Sequence, residues 1–251
     1  VDIFKKYDYS ALSRKDVISA MLPFLQNGQY FLRDDGKIDS DYKVGYDSPW
    51  IFIKRSPARE CIIWHKIYFG IFNILPSFCR QCWKVVVRPK TLEQLFQLLE
   101  LQKRLDRPSK CGIEKRLTVH GLYGGYFYND SLEEGLDRLD EVRIAVHKEI
   151  SPDIKVILKR GCTEFELYFG PSNEWKEPTK DELQDEQRLD GVFARNMFSH
   201  VQPEHLRARI MQNWIHFAYQ WGDATSLNFN GGKALFKPVV TYERKPEGGS
   251  Q

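Results

Sequence analysis

Lys84-Val85-Val86-Val87-Arg88-Pro89-Lys90-Thr91 is the stretch on which the fold reading turns. Three consecutive valines between basic residues make a β-branched run suited to a buried strand. Pro89 ends the run, because proline has no amide to give to a ladder. Thr91 stands where a helix cap belongs. Leu92, Leu95, Phe96 and Leu99 then recur at helical spacing, and Leu98, Leu101 and Leu105 widen the apolar face.

Working outward, Arg107-Pro108 stops that helix. Two short β-like stretches follow, at 113–119 and 122–128. Ser131 and Glu134 have capping-box spacing, and the helix after them should bury Leu132, Leu136, Leu139, Val142 and Val146. Pro152-Asp153 turns the chain into a strand over 154–159, followed by Gly161-Cys162. The order over residues 84–169 is β-α-β-β-α-β, which predicts an α+β fold of the ferredoxin-like plait type. Two helices would cover one face of a four-stranded antiparallel sheet. The alternative is an α/β layered sheet with 113–128 as one strand.

Flanking regions complete one packed unit. Residues 1–83 read as a helical and loop region that contributes to a cysteine site, with a helix at 14–26 capped by Ser13. Residues 84–170 are the plait core. Residues 171–251 form a C-terminal helical extension. One helix follows Thr179, and another follows Pro203 with Leu206, Ile210, Trp214, Phe217 and Trp221 on its apolar face. A closing strand is expected at 234–242.

Composition is 42% hydrophobic and 28% charged, which argues for a folded core and against disorder. The net charge of +3 permits a polyanionic partner without requiring one. The apolar stretch Ile62–Leu75 is interrupted by His65, Lys66, Gly70 and Asn73, too short and polar to span a bilayer. Five cysteines are an odd set for a disulfide framework, so a reducing, cytoplasmic setting is expected. The acidic run at 34–41 lacks the ligand order and closing glutamate of an EF-hand.

Cys61, Cys79, Cys82 and Cys111 have the spacing C-x17-C-x2-C-x28-C. A two-residue gap lets both sulfurs of a knuckle face one metal, and four thiolates suit tetrahedral zinc or an iron–sulfur cluster. The expectation is an intracellular metalloprotein. A [4Fe–4S] cluster in a structural or electron-transfer role is preferred to zinc, because structural zinc ribbons show two CxxC pairs and this chain has one. Phe78, Trp83, Trp64 and Ile62 would shield it. If 61–72 is helical, Cys61 and His65 share a face, and Cys61, His65, Cys79 and Cys82 make a zinc set with Cys111 a bystander. Cys162 follows Lys159-Arg160-Gly161, where positive charge would favour its thiolate. It is a nucleophile, a ligand replacing Cys61, or an ordinary turn residue.

A second class of function is nucleic-acid binding with a structural zinc. Gly121-Leu-Tyr-Gly-Gly-Tyr-Phe-Tyr128 has the character of the aromatic third strand of RNA-recognition modules, on which alternate aromatics stack on bases. Tyr123, Tyr126 and Tyr128 would stack. Arg88, Lys90 and Arg116 would meet phosphate, with the free amides near Thr91 offering a helix N-terminus. The first strand lacks the matching aromatic. Glu164 and Glu166, read on a strand, would share one face. A non-catalytic assembly protein, with a protein partner, is the third reading, since no GxSxG, Walker, HExxH or GxGxxG motif occurs.

Overall fold

The computed structural model describes residues 14–28, 30–39, 48–54, 68–70, 72–194, 202–233 and 242. In chain order the elements are α1 (Arg14–Gln26), β1 (Phe31–Leu32), β2 (Ile38–Asp39), β3 (Trp50–Lys54), α2 (Ser77–Arg80), β4 (Trp83–Arg88), α3 (Leu92–Leu105), β5 (Ser109–Ile113), β6 (Tyr123–Asn129), α4 (Leu132–Glu149), β7 (Lys155–Arg160), α5 (Thr163–Phe169), α6 (Lys180–Val192) and α7 (Glu204–Gln220). A 3-10 turn follows at Ala224–Phe229. Ser13 and the expected strand at 234–242 lie outside the described residues, apart from Tyr242. None of the described helices is long and apolar enough to cross a membrane.

The fold is mixed α+β. Five strands form one sheet in the order β3-β5-β6-β4-β7, and every neighbouring pair is antiparallel. The layered alternative fails because β5 and β6 are separate strands paired with each other. The first of them lies four residues earlier than expected, at Ser109–Ile113 rather than 113–119. Glu114 N donates to Leu122 O at 2.8 Å, so pairing continues only to that point and residues 115–121 form the connection. Cys111 therefore sits inside a strand, not in a loop.

Strand parity divides the molecule. Val85 and Val87 join Leu92, Leu95, Leu98, Leu99 and Val142 in one core between the sheet and helices α3 and α4. Lys84 and Val86 point to the other face. In α4 the buried stripe is Gly135, Val142 and Val146, with Leu139 partly buried, whereas Leu132 and Leu136 are about half exposed. Gly135 makes the difference: a Cβ there would lie 3.0 Å from Leu158 and 3.2 Å from Trp83, so the helix approaches the sheet through its smallest residue. In α7 the stripe is Leu206, Ile210, Trp214 and Ala218, and Trp221 turns outward.

The edge strand β3 is finished by side chains of the C-terminal region. Gln202 gives Nε2 to Trp50 O and accepts from Phe52 N, each at 2.8 Å, so it pairs with the strand as a neighbour would. Pro49 O accepts from Trp214 Nε1 at 2.8 Å and from Ile113 N at 3.2 Å. That carbonyl fits only because residue 112 is glycine; a Cβ would lie 1.9 Å from it.

Helix α3 begins against a carboxylate. Asp223 Oδ2 accepts from Leu92 N at 2.7 Å and from Tyr123 Oη at 2.6 Å, and Thr225 Oγ1 accepts from Glu93 N at 3.3 Å. Thr91 accepts from Gln94 N, as a cap should. The amides expected to be free for phosphate are thus occupied by the chain's own oxygens, and Lys90 N donates to Gln94 Oε1. Burial raises the Asp223 carboxyl, but the bonds from Tyr123, Thr225 and Leu92 outweigh it and hold the group below the ordinary carboxylate range.

Two outcomes follow from these contacts. Gly112→Ala must displace Pro49, and is expected to lower stability by about 2–4 kcal/mol in chemical denaturation. Asp223→Ala is expected to cost about 1–2 kcal/mol at neutral pH. The Asp223 contribution is present above the unfolded aspartate value of about 3.9 and is lost as pH falls through the lower folded value. The variant's stability should therefore converge with wild type in acid.

Candidate functional site

Lys84 lies in the middle of the sheet. Its register partners are Tyr128 on β6 and Lys159 on β7, so hydrogen-bonded strands flank it on both sides. Its side chain is on the face away from α3 and α4, and only 7% of the residue is exposed. An ammonium so buried costs several kcal/mol unless a negative partner meets it. The partner is sulfur: Nζ donates to Cys162 Sγ at 2.7 Å. The ammonium is also 5.9 Å from the Tyr128 ring centroid. Burial alone would lower the Lys84 pKa; its ionisable neighbours, Cys162 foremost and then Cys82 and Tyr128, outweigh it and push it well above its ordinary range.

Cys162 reaches Lys84 by a forced turn. Gly161 has φ +59°, and a Cβ there would meet the Trp175 ring at 2.6 Å, so only glycine serves. Gly161 N donates to Cys82 O at 2.8 Å, one step beyond the β4–β7 ladder. Cys162 is half-buried at the start of α5. Cys82 is 6% exposed, and burial pushes its thiol pKa up, partly offset by Lys84. Of the two thiols, Cys162 is the one in contact with Lys84 Nζ.

The knuckle carrying Cys79 and Cys82 is clamped from three directions. The Glu186 carboxylate accepts from Ser77 N and Ser77 Oγ, both at 2.5 Å, at the start of α2. Arg80 donates to Lys176 O at 2.5 Å and to Glu182 at 3.0 Å. Arg160 Nε donates to Arg80 O at 2.6 Å. Cys79 packs in an apolar cluster with Phe165, Trp175 and Leu189.

The expected four-cysteine set is not brought together. Cys111 pairs in register with Gly125, whose Cβ position touches Leu98 of α3, so Cys111 faces the helices. Cys111 is fully buried with Val85 and Val87, and burial pushes its thiol far above the ordinary range. The backbone of the sheet separates it from Lys84 and Cys162. Cys61 and His65 lie outside the described residues. Among the described residues no three His, Cys, Asp or Glu side chains form a group able to hold a metal. Cys79, Cys82, Cys111 and Cys162 are all outside disulfides.

The residues expected to meet nucleic acid are divided and engaged. Tyr123 has the opposite parity to Tyr126 and Tyr128; it is buried in the helix-side core and bonded to Asp223. Tyr126 is 6% exposed and donates to Glu114 Oε2 at 2.8 Å. Arg116 is spent on carboxylates, at 2.6 Å from Glu114 and 2.8 Å from Glu164. Arg88 donates to His120 O at 2.5 Å. With Val86 and Lys84 also buried, this sheet face is not an open stacking platform. Lys110 does sit among rings there, with Nζ 4.6 Å from the Trp50 centroid and 5.5 Å from that of Tyr126. Glu164 and Glu166 are on a helix, so they diverge, and Glu166 pairs with Lys159 at 2.5 Å.

Sequence reasoning singled out Cys162 and missed Lys84. The signal was a lysine beside a valine run, one position out of phase with the apolar face of β4. No family model, curated protein or solved structure matches this chain.

Proposed function

We propose that this protein works through a reactive thiolate at Cys162, held by Lys84, with Cys82 as a second thiol beside it. The single observation that carries this reading is the 2.7 Å contact between a buried ammonium and a half-buried sulfur. A cation at hydrogen-bond distance favours thiolate over thiol, and the thiolate is the nucleophile. The chemistry such a pair supports is attack by sulfur on a soft electrophile. Lys84 stabilises the charge before the attack and can return a proton to the leaving atom afterwards. Lys84 contacts the reacting sulfur and is the positioning and charge-stabilising group; Cys162 is the reacting one.

We also read residues 84–169 as a ferredoxin-like plait. In support, the two outer connections each carry a helix, β6 lies between β4 and β5, and β7 lies on the far side of β4. The fold says nothing of the chemistry by itself.

A thiolate metal centre, [4Fe–4S] or zinc, is the second reading. Its support is that the backbone of the Cys79–Cys82 knuckle meets the turn before Cys162, where Gly161 N donates to Cys82 O and Gly161 lies against Cys79 O. Cys111 would not be a ligand. Such a centre would tie the knuckle to the end of β7. Metal analysis of anaerobically purified protein decides: a metal lost on Cys79→Ser, Cys82→Ser and Cys162→Ser alike supports it, and metal-free wild type removes it.

The thiolate is tested by alkylation. Iodoacetamide labelling at Cys162, read by peptide mass spectrometry, should reach half its maximal rate below the pH of about 8.5 at which an ordinary cysteine does. Lys84→Met should slow labelling at pH 7 by about tenfold or more and shift the profile upward. Lys84→Arg, which keeps the charge, should retain much of the rate. Equal rates in wild type and a folded Lys84→Met protein would sink the reading.

A further inference from the structure

We propose that Cys82 is the thiol with which Cys162 closes a disulfide, and that a hydroperoxide is the oxidant. This rests on Cys162 being the thiolate that Lys84 holds. Strands β4 and β7 pair from Arg88↔Lys155 to Trp83↔Arg160. Cys82 directly precedes the last pair, and the bond from Gly161 N to Cys82 O extends the ladder one step. Neighbouring-strand spacing places the Cα atoms of residues 82 and 162 roughly 5–7 Å apart, within disulfide range. The turn at Gly161 frees Cys162 from the strict alternation of the strand, which would otherwise aim the two side chains to opposite faces.

Position separates Cys82 from Cys111, which lies on the helix side of the sheet. The charges Cys82 feels are those of Lys84, Cys162, Asp130 and Lys110. Cys79 is a buried member of the apolar cluster of Phe165 and Trp175, against which Cys162 also packs, so the peptide map must tell Cys79 and Cys82 apart. Exposure assigns the order of events: half-buried Cys162 meets the oxidant, and buried Cys82 follows.

The Cys162 sulfur attacks the distal oxygen of the hydroperoxide. The S–O bond forms, the O–O bond breaks, and the departing alkoxide or hydroxide takes a proton from solvent to leave as alcohol or water, so that Lys84 keeps its charge. Cys162 is then a sulfenic acid, oxidised by two electrons as the peroxide is reduced by two. Cys82 attacks that sulfur; the S–S bond forms, the S–O bond breaks, and hydroxide leaves with the Cys82 proton as water. Lys84 then loses its anionic partner while remaining buried. Oxidation thus destabilises the centre of the sheet face.

The test is peroxide treatment of the full chain, at one equivalent of hydrogen peroxide, with dimedone as the sulfenic-acid probe and non-reducing peptide mapping. Wild type should yield a Cys82–Cys162 linked peptide and little dimedone adduct. Cys82→Ser and Cys82→Ala should yield no link and a dimedone adduct on Cys162. A Cys79–Cys82 or Cys79–Cys162 link, or a persistent wild-type adduct without any link, overturns the proposal and leaves the thiolate intact. No oxidation of Cys162 in any of the three proteins overturns the proposal and the thiolate together.

Discussion

The constraint on which this structure rests is a full positive charge enclosed at the middle of a sheet. β4 is bonded along both edges, so its alternation cannot slip without sending Val85 and Val87 into the wrong layer. Once that register is set, Lys84 has nowhere to go but the opposite face, under cover. The cost of enclosing an ammonium there must be met by a partner that reaches it. The glycine turn, the short helix α5 and the clamped knuckle are arranged around that requirement. Arg160, at the end of β7, braces both the Arg80 carbonyl and the Ser172 carbonyl, and so fixes the two strand ends near which the thiols sit.

The same alternation explains why the thiols do not gather. One apolar cluster fills the space between the sheet and α3, α4 and α7; another lies among α1, α5, α6 and the residues Tyr68, Phe72, Ile74 and Leu75. Cys111 belongs to the first and Cys79 to the second. Linear spacing treats both as candidates for one centre, because spacing carries no information about which side of a sheet a residue faces. The pairing of Cys111 with Gly125 does carry it.

Much of the core was legible in the residues. The valine strand, the Thr91 cap, the leucine-rich helix, the Ser131–Glu134 start and the helix from Pro203 all stand where local chemistry put them. Each is specified within a few residues, by a cap or a period. What was hidden depends on distant partners. Ser109–Ile113 contains serine, lysine and glycine, and becomes a strand because β3 and β6 hold it on both sides. The face of α4 rotated toward Gly135 because the sheet came close, a packing fact with no local signature. Glu164 and Glu166 alternate with an aromatic, yet their backbone is helical. At the site, Cys162 drew attention through neighbouring charges in sequence, but its partner came from β4, 78 positions away.

Asp223 fills the start of α3 from 131 positions downstream, and Trp214 secures the Pro49 carbonyl across 165. Contacts of such separation form late, since the intervening chain must first surrender its freedom. During synthesis the sheet and its two covering helices emerge well before the segment that plugs one end and seals the edge. Until that segment arrives, α3 presents bare amides and β3 an unpaired margin, both inviting to strangers. The segment from Gln202 to Thr225 is thus less an appendage than a latch, and the nascent sheet is most vulnerable to mispairing just before it closes.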